Sequence, residues 1–147
     1  MTNVTFNNRK FNHPSSIFNH HLIIFIGLFL LSFYPQQNSL PEGLYSAIRA
    51  GNAKELSTWF NANIELNILD KEGVYSKLQA EQILKEFFYK NVPSRFVKNH
   101  EGGKDESKYG IGTLNTSTGQ YRISFFMMKT GNGVYLIHKF IIEDDNN

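Results

Sequence analysis

The chain of 147 residues contains no cysteine. This absence excludes disulfide bonds, thiolate zinc sites, cysteine nucleophiles and a lipid anchor on an N-terminal cysteine. Charged residues are also few, at 19% of the chain, whereas 41% of the residues are hydrophobic. That apolar content is sufficient for a folded core and excludes a disordered chain of low complexity.

No apolar run reaches the 20 or so residues that a membrane-spanning helix usually needs. The longest run, LIIFIGLFLLSFY at residues 22–34, has thirteen and follows Arg9 and Lys10. A basic segment before a short apolar run is typical of a secretory signal, although no Ala-x-Ala cleavage pattern follows. We predict that residues 1–40 are a cleaved signal peptide for periplasmic or secreted export. The alternatives are an inner-membrane anchor through 22–34, a misread start codon or a buried core segment.

Without the leader, the surplus of positive charge disappears. The chain has 15 Lys and Arg residues against 13 Asp and Glu, and Arg9 and Lys10 account for the difference of two. Residues 41–147 are therefore formally neutral. A neutral domain lacks the basic patch that phosphate contacts require, so nucleic-acid binding is not expected.

Three short helical patterns precede most of the strands in residues 41–147. Pro41 and Gly51 bound a first helix, and Asn52 caps a second whose apolar side we predict to include Trp59 and Phe60. A third helix begins at Ser76, where Gln79 completes a capping box, and ends before Pro93. Its apolar stripe is predicted to contain Leu78, Ile83, Leu84, Phe87 and Phe88.

The strands are recognised by alternating apolar residues. Residues 64–68 predict one strand, followed by a turn at 70–73. Four more are predicted at 95–100, 109–115, 120–129 and 134–143, the first two separated by Gly102 and Gly103. Gly110 and Gly112 fit small residues beneath a curved sheet. The order α-α-β-α-β-β-β-β predicts an α+β fold with N-terminal helices packed on a curved antiparallel sheet.

The last two strands are apolar on both faces. In residues 120–129, Phe126 and Met128 lie opposite Tyr121, Ile123, Phe125 and Met127; residues 134–143 have the same two-sided character. An antiparallel sheet with one face in water alternates more cleanly. The second face is therefore predicted to meet helices, a ligand or another subunit, and a homodimer through the sheet is the simplest arrangement.

Several segments resemble an uncharacterised bacterial exported family, domain of unknown function 4783. The resemblance rests on four segments: KEGVYSK at 71–77, QAEQILKEFF at 79–88, YGIGTL at 109–114 and GQYR at 119–122. It extends over about residues 42–143. It implies a nuclear-transport-factor-2-like fold, a cone of helices closed by a curved sheet around a cavity. The family has no established activity, so the resemblance implies no functional residues.

Few side chains are suited to chemistry. His138 shares its alternation with Val134, Leu136 and Phe140, which predicts that it points into the core or a cavity, as a hydrogen-bonded neutral histidine or as a ligand-binding group. Glu65 lies mid-strand opposite the apolar residues, as a surface residue or a pocket acid.

Aromatic residues are the other candidates. Tyr45, Trp59, Tyr75 and Phe87 are predicted either to line a hydrophobic cavity together with His138 or to be ordinary core. No pair of histidines has ligand spacing, so we expect neither a metal nor a cofactor, and we assign no catalytic residue.

These observations favour a non-enzymatic exported domain that binds a small apolar ligand or a protein partner through its cavity or sheet face. A small lyase- or isomerase-type enzyme using His138 or Glu65 is the first alternative. A structural homodimer module is the second.

Overall fold

A computed structural model of the protein describes Met1 and residues 39–145. Within them, three helices and six strands follow one another in the order α1-α2-β1-β2-α3-β3-β4-β5-β6. The helices are α1 (Glu42–Ala50), α2 (Ala53–Ser57) and α3 (Lys77–Lys90). The strands are β1 (Phe60–Ile68), β2 (Lys71–Ser76), β3 (Pro93–Lys104), β4 (Ser107–Thr116), β5 (Gln120–Lys129) and β6 (Tyr135–Asp144).

The predicted helix boundaries follow from capping. Asn52 accepts a hydrogen bond from the backbone N–H of Glu55 at 3.1 Å and starts α2. Ser76 and Gln79 form the complete capping box of α3. Gly51 ends α1 in the left-handed conformation, with φ of 62°, which glycine adopts without steric cost.

The strands form one six-stranded sheet in the order β2-β1-β6-β5-β4-β3. Neighbouring strands are antiparallel except β1 and β6, which pair in parallel. The α+β fold with helices packed on a curved sheet is confirmed, although the sheet is mixed and contains one strand more than expected.

One hydrophobic core joins the helices to one face of the sheet, which we call the inner face. Its fully buried members include Leu44 and Ile48 of α1, Leu84 of α3, and Phe125 and Phe140 of the sheet. The opposite face of the sheet is called the outer face.

Two sequence predictions about the strands are wrong in detail. Residues 70–73 are not a turn, because β2 begins at Lys71 after a two-residue turn of Leu69 and Asp70. Gly102 and Gly103 lie inside β3, where they pair with Tyr109 and Lys108, so β3 and β4 extend further than predicted. Their missing side chains break the apolar alternation that marks a strand.

The apolar sides of the helices also differ from expectation. The second helix ends at Ser57, so Trp59 follows it and Phe60 opens β1. Leu78 of α3 is 68% exposed, whereas Ala80 is buried together with Leu84, Phe87 and Phe88 of the same helix.

Among the described residues, no helix combines the length and hydropathy needed to cross a membrane. The predicted leader at residues 2–38, with its apolar run at 22–34, lies outside the described part of the chain.

Candidate functional site

The outer face of the sheet carries a group of apolar side chains that we call the outer-face patch. Tyr109 and Phe126 are each 37% exposed and Met128 is 53% exposed. Half-buried side chains complete the patch: Ile111, Leu136 and Ile141. The structure therefore shows the apolar second face that the sequence predicts for β5 and β6, and this face extends onto β4.

Strand register makes this patch continuous. Tyr109 pairs with Phe126 across β4 and β5, with ring centroids 6.4 Å apart. Met128 pairs with Leu136, and Ile111 and Ile141 both pair with Ser124. Directly paired residues in a sheet share a face, so all six side chains lie on one surface.

A β-bulge interrupts β6 beside the patch, at His138. Ile137 pairs with the buried Met127 and Lys139 pairs with the exposed Phe126, so His138 is the extra residue between an inward and an outward neighbour. The predicted alternation of Leu136, His138 and Phe140 on one face is therefore wrong. The bulge shifts the parity, and Ile137, Phe140 and Ile142 are the core residues of this strand.

The Nδ1 atom of His138 is buried and has no hydrogen-bond partner within the described residues. Such atoms are rare in folded proteins, because an unsatisfied buried polar group is costly. The side chain as a whole is half-buried. Of the four aromatic residues that the sequence grouped with it, Trp59 is a near neighbour, because its carbonyl accepts a hydrogen bond from the N–H of Ile137 at 2.7 Å. Tyr45, Tyr75 and Phe87 lie on α1, β2 and α3.

Glu65 is engaged in an ion pair. Its Oε1 atom accepts a hydrogen bond from Nζ of Lys139 at 2.6 Å, across the parallel β1–β6 pair. This hydrogen bond holds the pKa of Lys139 above its usual range. Both side chains are partly exposed, at 41% and 37%. The second candidate acid of the sequence is thus paired with a lysine on the outer face, directly opposite Phe126.

The four candidate aromatic residues take different positions in the described domain. Tyr45 is buried, and its ring centroid lies 5.9 Å from that of Phe96 and 6.0 Å from that of Phe125. Phe87 is also buried, and Trp59 and Tyr75 pack against the edge of the core. Of the four, Tyr75 and Phe87 each line a pocket beside α3, and these two pockets share Ile83.

Tyr45 also joins a charged network at the start of the domain. Its hydroxyl donates to Oε2 of Glu101 at 2.8 Å, and Lys98 lies 3.2 Å from Oε1 of the same carboxylate. Burial, followed by the hydrogen bond to Glu101, raises the pKa of the Tyr45 phenol. Burial also pushes the pKa of Glu101 upwards, but hydrogen bonds from Tyr45 and Lys98, the charge of Lys98 and the backbone N–H of Leu40 outweigh it. The pKa of Glu101 is therefore lowered.

This network makes stability depend on pH. Because the folded pKa of Glu101 is depressed, its contribution is present above the unfolded pKa and is lost as the pH falls through the folded value. We expect Glu101→Gln to lower the free energy of unfolding by about 1 kcal/mol at pH 7, and by less below about pH 4. Urea unfolding of both proteins across this pH range measures the difference. Glu106→Gln, at an 81% exposed side chain, is the control. A difference that does not change with pH would contradict the assignment.

A pocket of about 190 Å³ lies between the β1–β2 turn and the C-terminal half of α3. Its lining combines apolar and charged side chains: Ile68, Leu69, Asp70, Lys71, Ile83, Glu86, Phe87, Lys90 and Asn91. A shallower groove of about 410 Å³ adjoins it along α3 and is lined by Tyr75, Leu78, Gln79, Gln82 and Ile83.

Most of this pocket could not be found from the sequence. Only Phe87 was among the candidates, because its aromatic ring marked it. The charged members are ordinary surface residues in sequence terms. Asp70 and Lys71 become neighbours of Glu86 and Lys90 only through the β1–β2 hairpin, which the sequence did not predict. The described residues contain no cluster of three or more His, Cys, Asp or Glu side chains suited to a metal ion.

Comparison with known proteins identifies the domain. The sequence profile of "Domain of unknown function (DUF4783)" matches residues 42–143. A DUF4783 protein of Bacteroides ovatus shares 35% identity, with 74% of this chain and 97% of that chain aligned at a TM-score of 0.70. A second DUF4783 protein, from Bacteroides uniformis, shares 33% identity, with 74% of this chain and 100% of that chain aligned and a TM-score of 0.70. A comparison with curated proteins gives no match.

The wider fold is recognisable as well. A solved variant of the design Rd1NTF2_05 shares 16% identity over 69% of this chain and 91% of its own, with a TM-score of 0.56. At this identity the likeness shows the fold alone, a nuclear-transport-factor-2-like fold. The two Bacteroides chains consist almost wholly of the aligned domain, so residues 39–147 are expected to fold alone. The chain belongs to the DUF4783 family, a family of domains of unknown function.

Proposed function

We propose that this is an exported, non-enzymatic domain that binds a protein partner through the outer-face patch, and that the partner is a second copy of the chain. The observation that carries the proposal is the continuity of six apolar side chains over three neighbouring strands, with Met128 more than half exposed. Contiguous apolar surface of this kind is typical of interaction sites.

Charge supports a second copy as the partner. Residues 41–147 contain equal numbers of acidic and basic side chains, so two domains meet without net repulsion. Within the patch, Lys139 lies directly opposite Phe126 and is already paired with Glu65, and beside the patch Arg122 is paired with Asp145 at 3.5 Å. A symmetric pair brings the same patch of each copy together, which suits an apolar surface without strong charge.

The same geometry favours binding over catalysis. Glu65 is held by Lys139 at 2.6 Å, and Nδ1 of His138 is buried. A general base has to reach its substrate proton directly or through one water. Neither candidate group presents a free basic atom to the two pockets beside α3, whose lining residues include neither of them. The export part of the proposal rests on Arg9, Lys10 and the apolar run at 22–34.

Oligomeric state tests the proposal. Residues 39–147 are expected to sediment as a dimer at micromolar concentration, and Met128→Glu to weaken association at least about tenfold, because the new charge would be buried in an apolar contact. Analytical ultracentrifugation over a concentration series measures both. Val74→Glu is the matched control, since Val74 is 74% exposed on β2, away from the patch. A wild-type monomer throughout, or an equal effect of the two substitutions, would overturn the proposal.

A further inference from the structure

The pocket beside α3 has the size of a single small molecule. Its volume is about 190 Å³, and buried Ile68 and Phe87 form part of its wall together with Ile83. Sites for drug-sized ligands usually exceed about 300 Å³, whereas an apolar cavity of about 150 Å³ accepts benzene. The space therefore suits one aromatic ring or one short branched chain.

A strained residue marks the rim of this pocket. Leu69 has φ of +53°, and it is the one non-glycine residue with positive φ in the described part of the chain. Its side chain is 44% exposed at the pocket, and its N–H donates to the carbonyl of Ile142 at 3.0 Å. Left-handed backbone at a leucine is unfavourable and is found preferentially at functional sites.

The charged side chains of the rim are unevenly matched. Oε1 of Glu86 lies 2.8 Å from Nζ of Lys90, and its Oε2 lies 3.6 Å from Nζ of Lys71. Two lysines thus share one carboxylate, and one positive charge is uncompensated. Asp70, on the same rim, forms no ion pair with any residue that the structure describes. The rim therefore offers one unmatched charge of each sign above an apolar wall.

We propose that this pocket binds a small zwitterion with an apolar body, of the class of free apolar α-amino acids. The ammonium group of the ligand pairs with Asp70, its carboxylate lies near Lys71 and Lys90, and its side chain packs against Ile68, Ile83 and Phe87. Because these charges are exposed, the site is weak, with a dissociation constant on the order of 1 mM.

Four probes separate the contributions of charge and apolar body. We would titrate residues 39–147 with L-phenylalanine, 3-phenylpropionate, 2-phenylethylammonium and glycine, following amide shifts of residues 68–71 and 83–91 by NMR. L-phenylalanine is expected to bind roughly two- to fivefold more tightly than either singly charged analogue, and glycine not to bind. Equal or tighter binding of a singly charged probe, or no binding of L-phenylalanine, would overturn the proposal.

Substitutions locate the site. Asp70→Asn is expected to lower the affinity for L-phenylalanine to that for 3-phenylpropionate. The affinity for 3-phenylpropionate itself is expected not to fall. Ile83→Trp, which fills the pocket, is expected to abolish binding of both, and its amide spectrum verifies folding. Lys54→Met on α2 is the control and is expected to change nothing. If Asp70→Asn has no effect, the assigned contact is wrong.

The pocket beside α3 is separate from the outer-face patch, so ligand binding there does not require the proposed dimer. Met128→Glu, which disrupts the outer-face patch, is expected to bind L-phenylalanine with unchanged affinity. A monomeric wild-type domain that binds the zwitterion would therefore refute only the dimer, and a dimer that does not bind it would refute only the pocket.

Discussion

Replacing Phe125 by alanine is expected to lower the free energy of unfolding by about 3–5 kcal/mol, a large part of the roughly 5–15 kcal/mol that stabilises a domain. Phe125 is fully buried on the inner face of β5. Its ring stacks on the ring of Phe140, with centroids 6.3 Å apart, and packs against the ring of Tyr45, with centroids 6.0 Å apart. Truncation removes these contacts and leaves a cavity that the surrounding rings cannot close.

The neighbouring residue provides a matched control. Phe126 has the same side chain one position further along β5, but it lies on the outer face and is 37% exposed. Phe126→Ala is expected to change stability by less than about 1 kcal/mol, measured in urea at low protein concentration, where self-association does not contribute. Equal losses for the two alanine variants would show that the assigned faces of β5 are wrong.

Gly112→Ala is expected to cost about 3 kcal/mol, although it adds a single methyl group. A Cβ atom at this position would lie 2.7 Å from the carbonyl oxygen of Val97 and would collide with the ring of buried Phe96. The ring can shift, but the backbone carbonyl belongs to the paired strand β3 and cannot yield without breaking the ladder.

Thermal unfolding measures this effect. For a domain of about 100 residues, a loss of 3 kcal/mol lowers Tm by more than about 12 °C. Gly131→Ala is the control, because a Cβ at Gly131 has no atom within 4 Å. It is expected to leave Tm unchanged or to raise it slightly, since alanine reduces the entropy of the unfolded chain. Similar losses at both positions would exclude the steric explanation.

Local rules predicted much of the fold. The capping residues Asn52 and Ser76 began helices as expected, since their hydrogen bonds involve only the next three residues. The alternation in residues 120–129 gave β5 its limits and its buried face. The sequence predicts Gly110 and Gly112 as small residues beneath the sheet, and their close approach to Phe125 and Phe96 agrees with this.

Features that depend on distant contacts could not be predicted in the same way. Strand β2 has few apolar residues, and it forms by pairing with β1, so its sequence looks like a turn. The bulge at His138 reverses the parity of β6, and nothing in the local pattern of apolar residues reveals an inserted position. The predicted role of His138 depended on that parity.

Of the candidate sites, too, the part set by local sequence was predictable and the part set by distant contacts was not. The outer-face patch was predictable in outline, because an apolar second face appears directly in the sequence around Phe126 and Met128. The pocket beside α3 was not, because its charged rim is assembled from Asp70 and Lys71 on one element and Glu86 and Lys90 on another. Only the tertiary structure brings these charges together.

The parallel pairing of β1 and β6 has a consequence for folding. Glu65 and Lys139, which bond across this pair, are 74 residues apart in the chain. Contacts between such distant segments slow folding, because the entropy of closing the long intervening segment is lost before the contacts can compensate for it. During synthesis, β1 has its hairpin partner β2 early, but its other edge stays open until β6 has left the ribosome. The domain is therefore expected to complete its sheet only after β6 has been synthesised.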